Sequence, residues 1–506
     1  MPVLFARPDR DDLKIIGYYA GKVIYGLGWL QVIPAILALV LGEWNALSAL
    51  IIGASVALIA GRLAEIRFFT REPLDWSHGM VTVALSWALG PIFAAVPLYL
   101  SGHFDSFLDA VFDAMSGLTT SGLSLLQDLD HVAASINVYR HLMHFAGGQG
   151  IIVVVLTLFA ASGSAQLHTL YVGEGRNERI MPNIIRTARF IYTVAGVYLV
   201  IGTTVLWGAG MVAGLTPLRS LYHAVNLFMA AFDTGGFATM SSSVGYYHSV
   251  AVEGVLIVLM FAGTLSFGLH YMLWRGDPRE ILRNLETRTM AVTMFGLTAL
   301  VMLGLGRSGA FTDAGPMLRK GFFTIVSAHT GTGFGVNAPS LYVSDWGQLA
   351  PAAVVGAMAL GGMASSTAGG FKAIRVGLAM KGLTHDIKRV LLPESALVVT
   401  TYHSRRRRIL RDDVVKGATT LLLLFLLTYL AGAMVALFTT STDFTSALFE
   451  SVSATATVGL STGLTHPAMN ATLETTYIVQ MWLGRLEFMA VFAAIGYVAA
   501  LVKGRH

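Results

Sequence analysis

The sequence predicts an all-α integral membrane protein, and three observations lead to this fold class. The chain has 506 residues, of which 55% are hydrophobic and 12% are charged, which leaves too little polar surface for a soluble protein of this size. Ten apolar segments are long enough to span a bilayer as helices. Four shorter apolar segments lie between them, and each ends at a loop that contains glycine. Together these features predict about ten transmembrane helices around one central pore.

The predicted spans are distributed over the whole chain. They cover residues 15–41, 46–60, 79–101, 139–161, 186–214, 249–274, 289–306, 345–371, 413–439 and 475–502. The short segments lie between the third and fourth, fifth and sixth, seventh and eighth, and ninth and tenth spans. Ten helical residues rise only about 15 Å, about half of the hydrocarbon core. Each short segment is therefore predicted to be a half-helix that enters the membrane and turns back at its loop.

Two leading helices are thus followed by four repeats of helix, half-helix and helix. The predicted boundaries are 1–75 for the N-terminal two-helix region, 76–165, 186–275, 288–380 and 412–506 for the four repeats, and 381–411 for a basic cytoplasmic linker. The spacing between successive loop glycines is too irregular for a simple sequence repeat, but the order of apolar segments is regular.

Each half-helix is followed by a loop centred on a glycine that precedes Leu or Phe. The four loops comprise Thr120, Ser121, Gly122 and Leu123; Thr234, Gly235, Gly236 and Phe237; Gly331, Thr332, Gly333 and Phe334; and Thr457, Val458, Gly459 and Leu460. A cation that leaves water exchanges its hydration shell for oxygen atoms, and backbone carbonyls supply them where glycine permits left-handed or strained conformations. A single loop of this kind indicates only a turn or a helix cap. Four of them in equivalent positions predict an ion filter.

Charged residues predict the orientation of the chain. The loops opposite the half-helices contain Arg62, Arg67, Arg71, Arg176, Arg179, Arg186, Arg189, Arg275, Arg279, Arg283, Arg288, Lys381, Lys388, Arg389, Arg405 to Arg408, Arg411, Lys503 and Arg505. The positive-inside rule makes that side cytoplasmic, with both termini inside and the four glycine loops facing outward. The first loop is flanked by Asp105, Asp109, Asp113, Asp128 and Asp130. These acids indicate either a vestibule that attracts cations or ordinary loop solvation, and the sequence leaves both open.

Residues 361–370 interrupt the eighth predicted span with small and hydroxyl-bearing residues. They include Gly361, Gly362, Ser365, Ser366, Thr367, Gly369 and Gly370. One interpretation is an irregular loop at membrane depth, which is tolerated only where protein or water covers it. The other is a tightly packed helix crossing, in which small residues are also favoured. The density of small and hydroxyl-bearing residues favours the loop.

Arg485 lies within the last predicted span, where insertion of an arginine costs about 2.5–3.5 kcal/mol. Two arrangements would offset this cost. The side chain could face an aqueous cavity beneath the filter, or it could form a buried ion pair with a carboxylate on another helix. Glu487 is a poor partner, because residues two apart do not share a helix face.

With these loops and segments in place, the chain resembles the Trk/Ktr/HKT superfamily of potassium transporters, over about residues 15–503. The two leading helices are more similar to the Trk-type membrane subunit than to the shorter Ktr type. Besides the four loops, the resemblance rests on Gly147-Gly148-Gln149-Gly150-Ile151-Ile152, on the stretch from Gly361 to Lys372, and on Gly484-Arg485-Leu486-Glu487. The chain departs from the superfamily pattern at Gln149, where Met is usual, and at Asp233, where Asn is frequent.

The resemblance implies uptake of potassium across the inner (cytoplasmic) membrane. It implies that the four loops bind potassium as the transported ion, and that residues 361–370 obstruct the pore beneath them. It also implies that Arg485 acts with this segment as a gate. All four loops hold glycine rather than serine at the central position, which in the resembled superfamily implies a potassium-type filter. A homodimer on a ring of cytosolic nucleotide-binding regulatory subunits is implied, with the nucleotide bound by those partners and no organic cofactor on this chain.

Other functions and sites are less well supported by the sequence. An ion-coupled secondary transporter of potassium with sodium or protons is the alternative, although few carboxylates lie within the predicted spans. An intramembrane enzyme would need a nucleophile with a base, or metal ligands at depth, and neither is visible.

The intramembrane histidines His141, His144, His223, His270 and His329 have no metal-ligand spacing and are predicted to be hydrogen bonded at helix interfaces. The basic block Arg405 to Arg408 enforces topology and contacts anionic lipids, or it docks a protein partner; no nucleic-acid partner is expected.

Overall fold

Apolar helices make up most of the structure. The computed structural model describes residues 10–72, 74–126, 128–150, 184–337, 341–393 and 395–503. Many large apolar side chains on these helices face outward, among them Val212 (80% exposed), Phe295 (79%) and Phe438 (92%). Exposed apolar surface of this kind is expected on helices that contact lipid. The chain is therefore a multi-pass membrane protein.

Three helices precede the repeats: Arg10–Leu30, Val32–Leu41 and Trp44–Arg67. The first two follow one another with a short interruption at Gln31, and Gly42 adopts a left-handed conformation where the chain turns into the third. The first and third helices pack closely, since a methyl group added to Gly21 would lie only 2.8 Å from the Ala64 side chain. Small residues permit this approach between helices in a membrane.

The helices of the four repeats follow in the predicted order. The four half-helices are Phe107–Leu118, Pro217–Phe232, Ala314–His329 and Phe444–Thr455. The helices before them are Trp76–Leu100, Ile184–Val212, Leu285–Ser308 and Asp412–Thr439. The helices after them are Ala134–Gln149, Val250–Thr264 with Phe267–Trp274, Leu349–Leu360, and Ala471–Leu486 with Met489–Lys503. Shorter elements are Leu129–His131, Ser243–Tyr247, Arg279–Arg283 and Leu341–Ser344.

Local sequence signals begin the half-helices. Ser106 and Asp109 form a capping box, in which each side chain accepts a hydrogen bond from the backbone N–H of the other. Pro217 occupies the first turn of the second half-helix, where its missing N–H costs nothing. Asp443 caps the fourth by accepting a hydrogen bond from the Ser446 N–H at 3.1 Å.

Several predicted spans are shorter or more bent than the hydropathy suggests. In the described ranges, six helices are long and apolar enough to cross a membrane, and two bent helix pairs meet the criterion together. The pair in the second repeat bends by 101° and the pair in the fourth by 112°, so the prediction of continuous spans over 249–274 and 475–502 is wrong. The predicted span 345–371 ends as a helix at Leu360. Residues 151–161 of the fourth predicted span, with Arg176 and Arg179, lie outside the described residues.

The bend in the second repeat is explained by contacts with residues 361–370. The Met363 N–H donates to the Thr264 carbonyl at 3.3 Å, and the Phe267 N–H donates to the Ser365 carbonyl at 3.2 Å. Backbone groups released by the bend are therefore paired with the non-helical segment, as backbone at membrane depth requires. Residues 361–370 form an irregular loop rather than a helix crossing. We call it the intramembrane loop.

The predicted basic linker is more ordered than a plain connection. Helix Ala373–Leu391 continues through its first part, and the antiparallel strands Thr401–Ser404 and Arg406–Ile409 form a hairpin in its second part. The hairpin is held to the short helix Arg279–Arg283, between the second and third repeats, by Glu280, which accepts hydrogen bonds from His403 Nε2 and from the Arg405 N–H. The arginines of the second strand are exposed.

Candidate functional site

The four glycine loops meet in a closed ring. A methyl group added to Gly122, Gly236, Gly333 or Gly459 would clash with the carbonyl oxygen of Gly235, Thr332, Val458 or Ser121, respectively. Each glycine of one repeat therefore lies against a carbonyl of the next repeat, and the fourth repeat closes on the first. The structure brings all four predicted loops together in this arrangement, which we call the glycine ring.

The backbone of the ring has the same unusual conformation in every repeat. The ring glycines have positive φ angles of 79°, 76°, 86° and 96° in chain order. The residues two positions earlier also have positive φ: 57° at Thr120, 50° at Thr234, 76° at Gly331 and 52° at Thr457. Threonine in this region is uncommon, because its branched side chain crowds the backbone. Strain that recurs at the three threonines, at equivalent positions of three repeats, indicates a functional constraint on the backbone.

Each loop is tied to its half-helix by an equivalent hydrogen bond. The N–H groups of Ser121, Gly235, Thr332 and Val458 donate to the carbonyls of Ser116, Ala230, Ser327 and Ser453 at 2.8, 2.8, 2.9 and 2.9 Å. The carbonyl ends of all four half-helices therefore lie at the base of the ring. The partial negative charge of these helix ends favours a cation at the ring.

Two of the loops are held by buried carboxylates. The sequence analysis did not predict this role for them. Asp113 lies nine residues before Gly122, and Glu450 lies nine residues before Gly459. Asp113 accepts a hydrogen bond from Ser124, and Glu450 accepts one from Ser461, both at 2.6 Å. In both repeats the serine follows the ring glycine by two residues. This shared spacing of carboxylate, glycine and serine is the signal that could have identified them.

The two carboxylates differ in their other partners. Asp113 forms a fully buried ion pair with Arg140, whose Nε lies 2.7 Å from Asp113 Oδ2. The Arg140 guanidinium also lies 4.0 Å from the centre of the Phe237 ring in the second loop. Glu450 instead accepts hydrogen bonds from Thr462 and Thr465. The first loop is thus supported by an ion pair and the fourth by hydroxyl groups.

Replacing Asp113 with alanine is expected to destabilise the protein by about 3–5 kcal/mol, because Arg140 would be left buried without its counter-ion. Thermal unfolding of the detergent-solubilised protein measures this as a lower melting temperature. The exposed pair of Arg411 and Asp413 provides a matched control. Asp413→Ala is expected to change stability little. Equal melting temperatures for the two variants would contradict a stabilising role of Asp113.

A cavity of about 710 Å³ lies against the ring and is lined by residues of all four loops, including Gly122, Gly236, Gly333 and Gly459. Its lining contains none of the five aspartates around the first loop. Asp113 is paired with Arg140 and Asp109 caps the first half-helix. Two of the five acids are therefore structural, and the vestibule interpretation does not hold for them.

The intramembrane loop contacts the opposite side of the ring. Thr234 Oγ1 lies 3.1 Å from Thr367 Oγ1. A methyl group added to Gly331 would lie 3.4 Å from the Ala368 side chain. One added to Gly369 would clash with Ala456 and Thr457. Residues 367–369 therefore touch the second, third and fourth repeats directly below the ring.

Arg485 occupies the remaining side, next to the first repeat. Its guanidinium donates to Thr120 Oγ1 at 3.3 Å, to the Thr367 carbonyl at 3.0 Å and to the Gly147 carbonyl. It therefore links the glycine ring to the intramembrane loop. The sequence analysis predicted the first as the filter and the second as part of the gate. Thr120 and Thr367 are fully buried.

Glu487 is engaged elsewhere. It forms an ion pair with Arg375, and Lys372 Nζ lies 3.7 Å from its other carboxylate oxygen. Lys372 also donates to the Ala368 carbonyl in the intramembrane loop. Glu487 itself has a φ of 52° and lies at the bend of the fourth repeat. This cluster joins the bend to the end of the intramembrane loop.

The intramembrane histidines are hydrogen bonded, as predicted. His144 Nδ1 lies 2.8 Å from the Gly117 carbonyl, and its Nε2 accepts from the Phe237 N–H at 3.3 Å. The other contacts join His141 to Asn137 and Phe237, His223 to Thr239 and Tyr247, His270 to Ala262, and His329 to Thr293. Within the described part of the chain, no group of three or more His, Asp or Glu side chains is placed to hold a metal ion.

Comparison with known proteins identifies the family of this chain. The family model of the TrkH cation transport proteins matches residues 47–496. The chain belongs to the TrkH family. Its fold is similar to the crystal structure of the potassium transporter TrkH from Vibrio parahaemolyticus, with a TM-score of 0.79 and 23% identity over 95% of this chain and 98% of that one.

Individual relatives match most of the chain. An uncharacterized cation transporter of Methanocaldococcus jannaschii is 28% identical over 96% of both proteins. The Trk system potassium uptake protein TrkI of Halomonas elongata is 30% identical over 92% of both. The Trk system potassium uptake protein TrkH of Escherichia coli is 26% identical, over 81% of this chain and 83% of the Escherichia coli protein. Family membership therefore covers the four repeats as a unit.

Proposed function

We propose that this chain takes up potassium across the cytoplasmic membrane through the glycine ring. The closed ring is the observation that carries the proposal. In four equivalent loops at the ends of four half-helices, a backbone carbonyl lies against the ring glycine of the neighbouring loop, and a cation is the ligand that carbonyls gathered in this way attract. The relatives named as potassium uptake proteins support potassium as the ion.

The intramembrane loop and Arg485 would act as the gate. The intramembrane loop contacts the second, third and fourth repeats below the ring, and Arg485 contacts the first repeat at Thr120. An arginine is always protonated, so it opposes passage of a cation at this point. Its hydrogen bond to Thr367 also holds the loop in place. Opening would require both contacts to change.

The resemblance to Trk-type membrane subunits supports a proposal about regulation and assembly. We propose a homodimer in the cytoplasmic membrane with both termini inside, in contact with cytosolic nucleotide-binding subunits that bind the regulatory nucleotide. The exposed arginines of the hairpin, from Arg406 to Arg408, suit a contact with an acidic protein surface or with anionic lipid headgroups. Potassium is the transported ion, and the nucleotide belongs to the partner.

Flux in liposomes tests the proposed function. Purified protein is reconstituted in vesicles loaded with potassium salt and diluted into sodium salt, and a protonophore is added. Electrodiffusive potassium efflux is expected to drive proton entry, reported by a pH-sensitive dye. Empty vesicles provide the baseline. Vesicles loaded with sodium and diluted into potassium test whether the gradient direction reverses the signal.

The alternative function gives a different result in the same vesicles. A secondary transporter that couples potassium to sodium or protons would show saturating flux that requires the second ion on a fixed side. Potassium flux that stops when sodium is replaced by an inert cation, or that persists only with an imposed proton gradient, would reject the channel-like mechanism. Absence of any potassium flux both by folded wild-type protein and by folded Arg485→Ala protein, in which the proposed gate is removed, would reject the proposed function itself.

A further inference from the structure

The second ring strand lacks a support that two other strands receive from their own half-helices. Six residues before the ring glycine, the third and fourth half-helices have Ser327 and Ser453, whereas the second has Ala230. Ser327 Oγ donates to the Phe334 carbonyl at 2.9 Å, and Ser453 Oγ accepts from the Gly459 N–H at 3.0 Å. Ala230 has no hydroxyl group and can form neither bond.

A histidine of the first repeat contacts the second ring strand instead. His144 lies on helix Ala134–Gln149 and is fully buried. Its Nε2 accepts a hydrogen bond from the Phe237 N–H at 3.3 Å, and its Nδ1 lies 2.8 Å from the Gly117 carbonyl oxygen near the end of the first half-helix. A methyl group added to Gly235 would clash with the imidazole, so the imidazole packs directly against the backbone of the strand.

The two hydrogen bonds of His144 define which of its nitrogens carries the proton. A carbonyl oxygen only accepts and a backbone N–H only donates, so Nδ1 is protonated and Nε2 is not. The side chain therefore donates to the first half-helix and accepts from the second ring strand. It connects two repeats through their backbones.

The hydrogen bond from Phe237 also sets the direction of a carbonyl in the ring. In a trans peptide the N–H and C=O groups point in opposite directions, so the Gly236 carbonyl points away from His144 and from helix Ala134–Gln149. The next carbonyl, that of Phe237, points back toward this helix, because its oxygen lies 3.0 Å from His141 Nε2. His144 therefore lies behind the strand, on the side opposite the Gly236 carbonyl.

We propose that His144 is a positioning residue for cation selectivity, which holds the Gly236 carbonyl toward the ion path in place of a half-helix hydroxyl. The number and placement of carbonyl oxygens around an ion determine which cation a filter prefers. His144 does not contact the ion and acts through the peptide between Gly236 and Phe237. This inference rests on the proposed function, because it requires that potassium passes through the glycine ring.

The test measures the permeability ratio of potassium over sodium for reconstituted variants. His144→Leu keeps a large side chain but removes both hydrogen bonds, and it is expected to lower the ratio about tenfold, the order expected for one lost hydrogen bond. Ala230→Ser in the same chain gives the second half-helix the hydroxyl that Ser327 and Ser453 supply in their repeats. The double variant is expected to return toward the wild-type ratio.

A control separates selectivity from stability. His270 is also buried, and its Nε2 lies 2.9 Å from the Ala262 carbonyl oxygen in the second repeat. His270→Leu is expected to keep the wild-type ratio, even where its melting temperature falls. A drop of the ratio in His144→Leu that His270→Leu does not share therefore reports the contact with the ring strand.

Two further variants cover the case in which His144→Leu does not fold. His144→Asn and His144→Gln both keep a polar amide at this position. Only the longer glutamine is expected to reach the Phe237 N–H, so its ratio should stay closer to the wild-type value than that of asparagine.

Three results decide the inference. A folded His144→Leu or His144→Asn protein with the wild-type ratio would overturn it. So would a double variant in which Ala230→Ser leaves the ratio at the His144→Leu level. Wild-type and Arg485→Ala proteins that both lack potassium flux would instead reject the proposed function.

Discussion

Arg485→Ala is expected to raise basal potassium flux by about 10- to 100-fold in the absence of any regulatory partner. The substitution removes a positive charge below the ring, and with it the hydrogen bonds from Arg485 to Thr120 and Thr367. Loss of about 1.4–2.8 kcal/mol of barrier corresponds to this range. Flux is measured in proteoliposomes and normalised to the amount of folded protein.

Two further variants show whether the arginine and the loop act together. Deletion of part of residues 364–368 is expected to raise basal flux as Arg485→Ala does, since both open the path below the ring. The effects of the two changes should not add, because residues in one hydrogen-bond network share their interaction energy. Arg307→Ala, at an exposed position, is the control and is expected to leave flux unchanged.

A purely structural role for Arg485 predicts a different outcome. The variant would then express poorly or melt at a lower temperature, and flux per folded molecule would equal that of the wild type. Well-folded Arg485→Ala protein with wild-type flux would remove this residue from the gate. Arg485→Lys separates charge from hydrogen bonding, because lysine keeps the charge but lacks the planar fork of donors. Its basal flux is expected to lie between those of the wild type and Arg485→Ala.

Gly122→Ser is expected to lower the permeability ratio of potassium over sodium by about 10- to 100-fold. The new Cβ would clash with the Gly235 carbonyl, and a positive φ of 79° is unfavourable for serine. Displacement of one carbonyl removes an interaction with a charged ligand, worth about 1.5–3 kcal/mol. Sodium and potassium fluxes are measured in the same vesicles under opposite gradients.

A second ring position and a control glycine make the selectivity prediction specific. Gly459→Ser is expected to act in the same direction, because its Cβ would lie 2.5 Å from the Ser121 carbonyl oxygen. Gly196 lies in helix Ile184–Val212, where a methyl group would meet no atom within 4 Å. Gly196→Ser is therefore expected to keep the wild-type selectivity. Unchanged selectivity in well-expressed Gly122→Ser and Gly459→Ser proteins would place these glycines off the ion path.

The sequence by itself determined the class of protein and the order of its elements. Spans and half-helices depend on the length of apolar runs, which is a local property. The loop glycines are also a local signal, so the half-helices were predicted in the right order. The intramembrane loop was predicted because Gly361–Gly370 contains too many small residues for an ordinary span.

The tertiary structure alone decided how these elements meet. The bends after Thr264 and at Glu487 depend on hydrogen bonds and ion pairs with residues of the third repeat, and no signal within the bent spans reports them. The left-handed conformation of Thr120 could not be predicted from the sequence either, because threonine rarely adopts a positive φ.

Partners far apart in the sequence were also beyond local reasoning. Arg485 contacts residues 118, 338 and 365 positions away, and Gln149 reaches Asp233 across 84 positions. A residue type shows that a buried charge needs a partner, but many residues in the chain satisfy that requirement equally well. Only the packing of the four repeats around the glycine ring selects among them, because it fixes which distant atoms come within hydrogen-bonding distance.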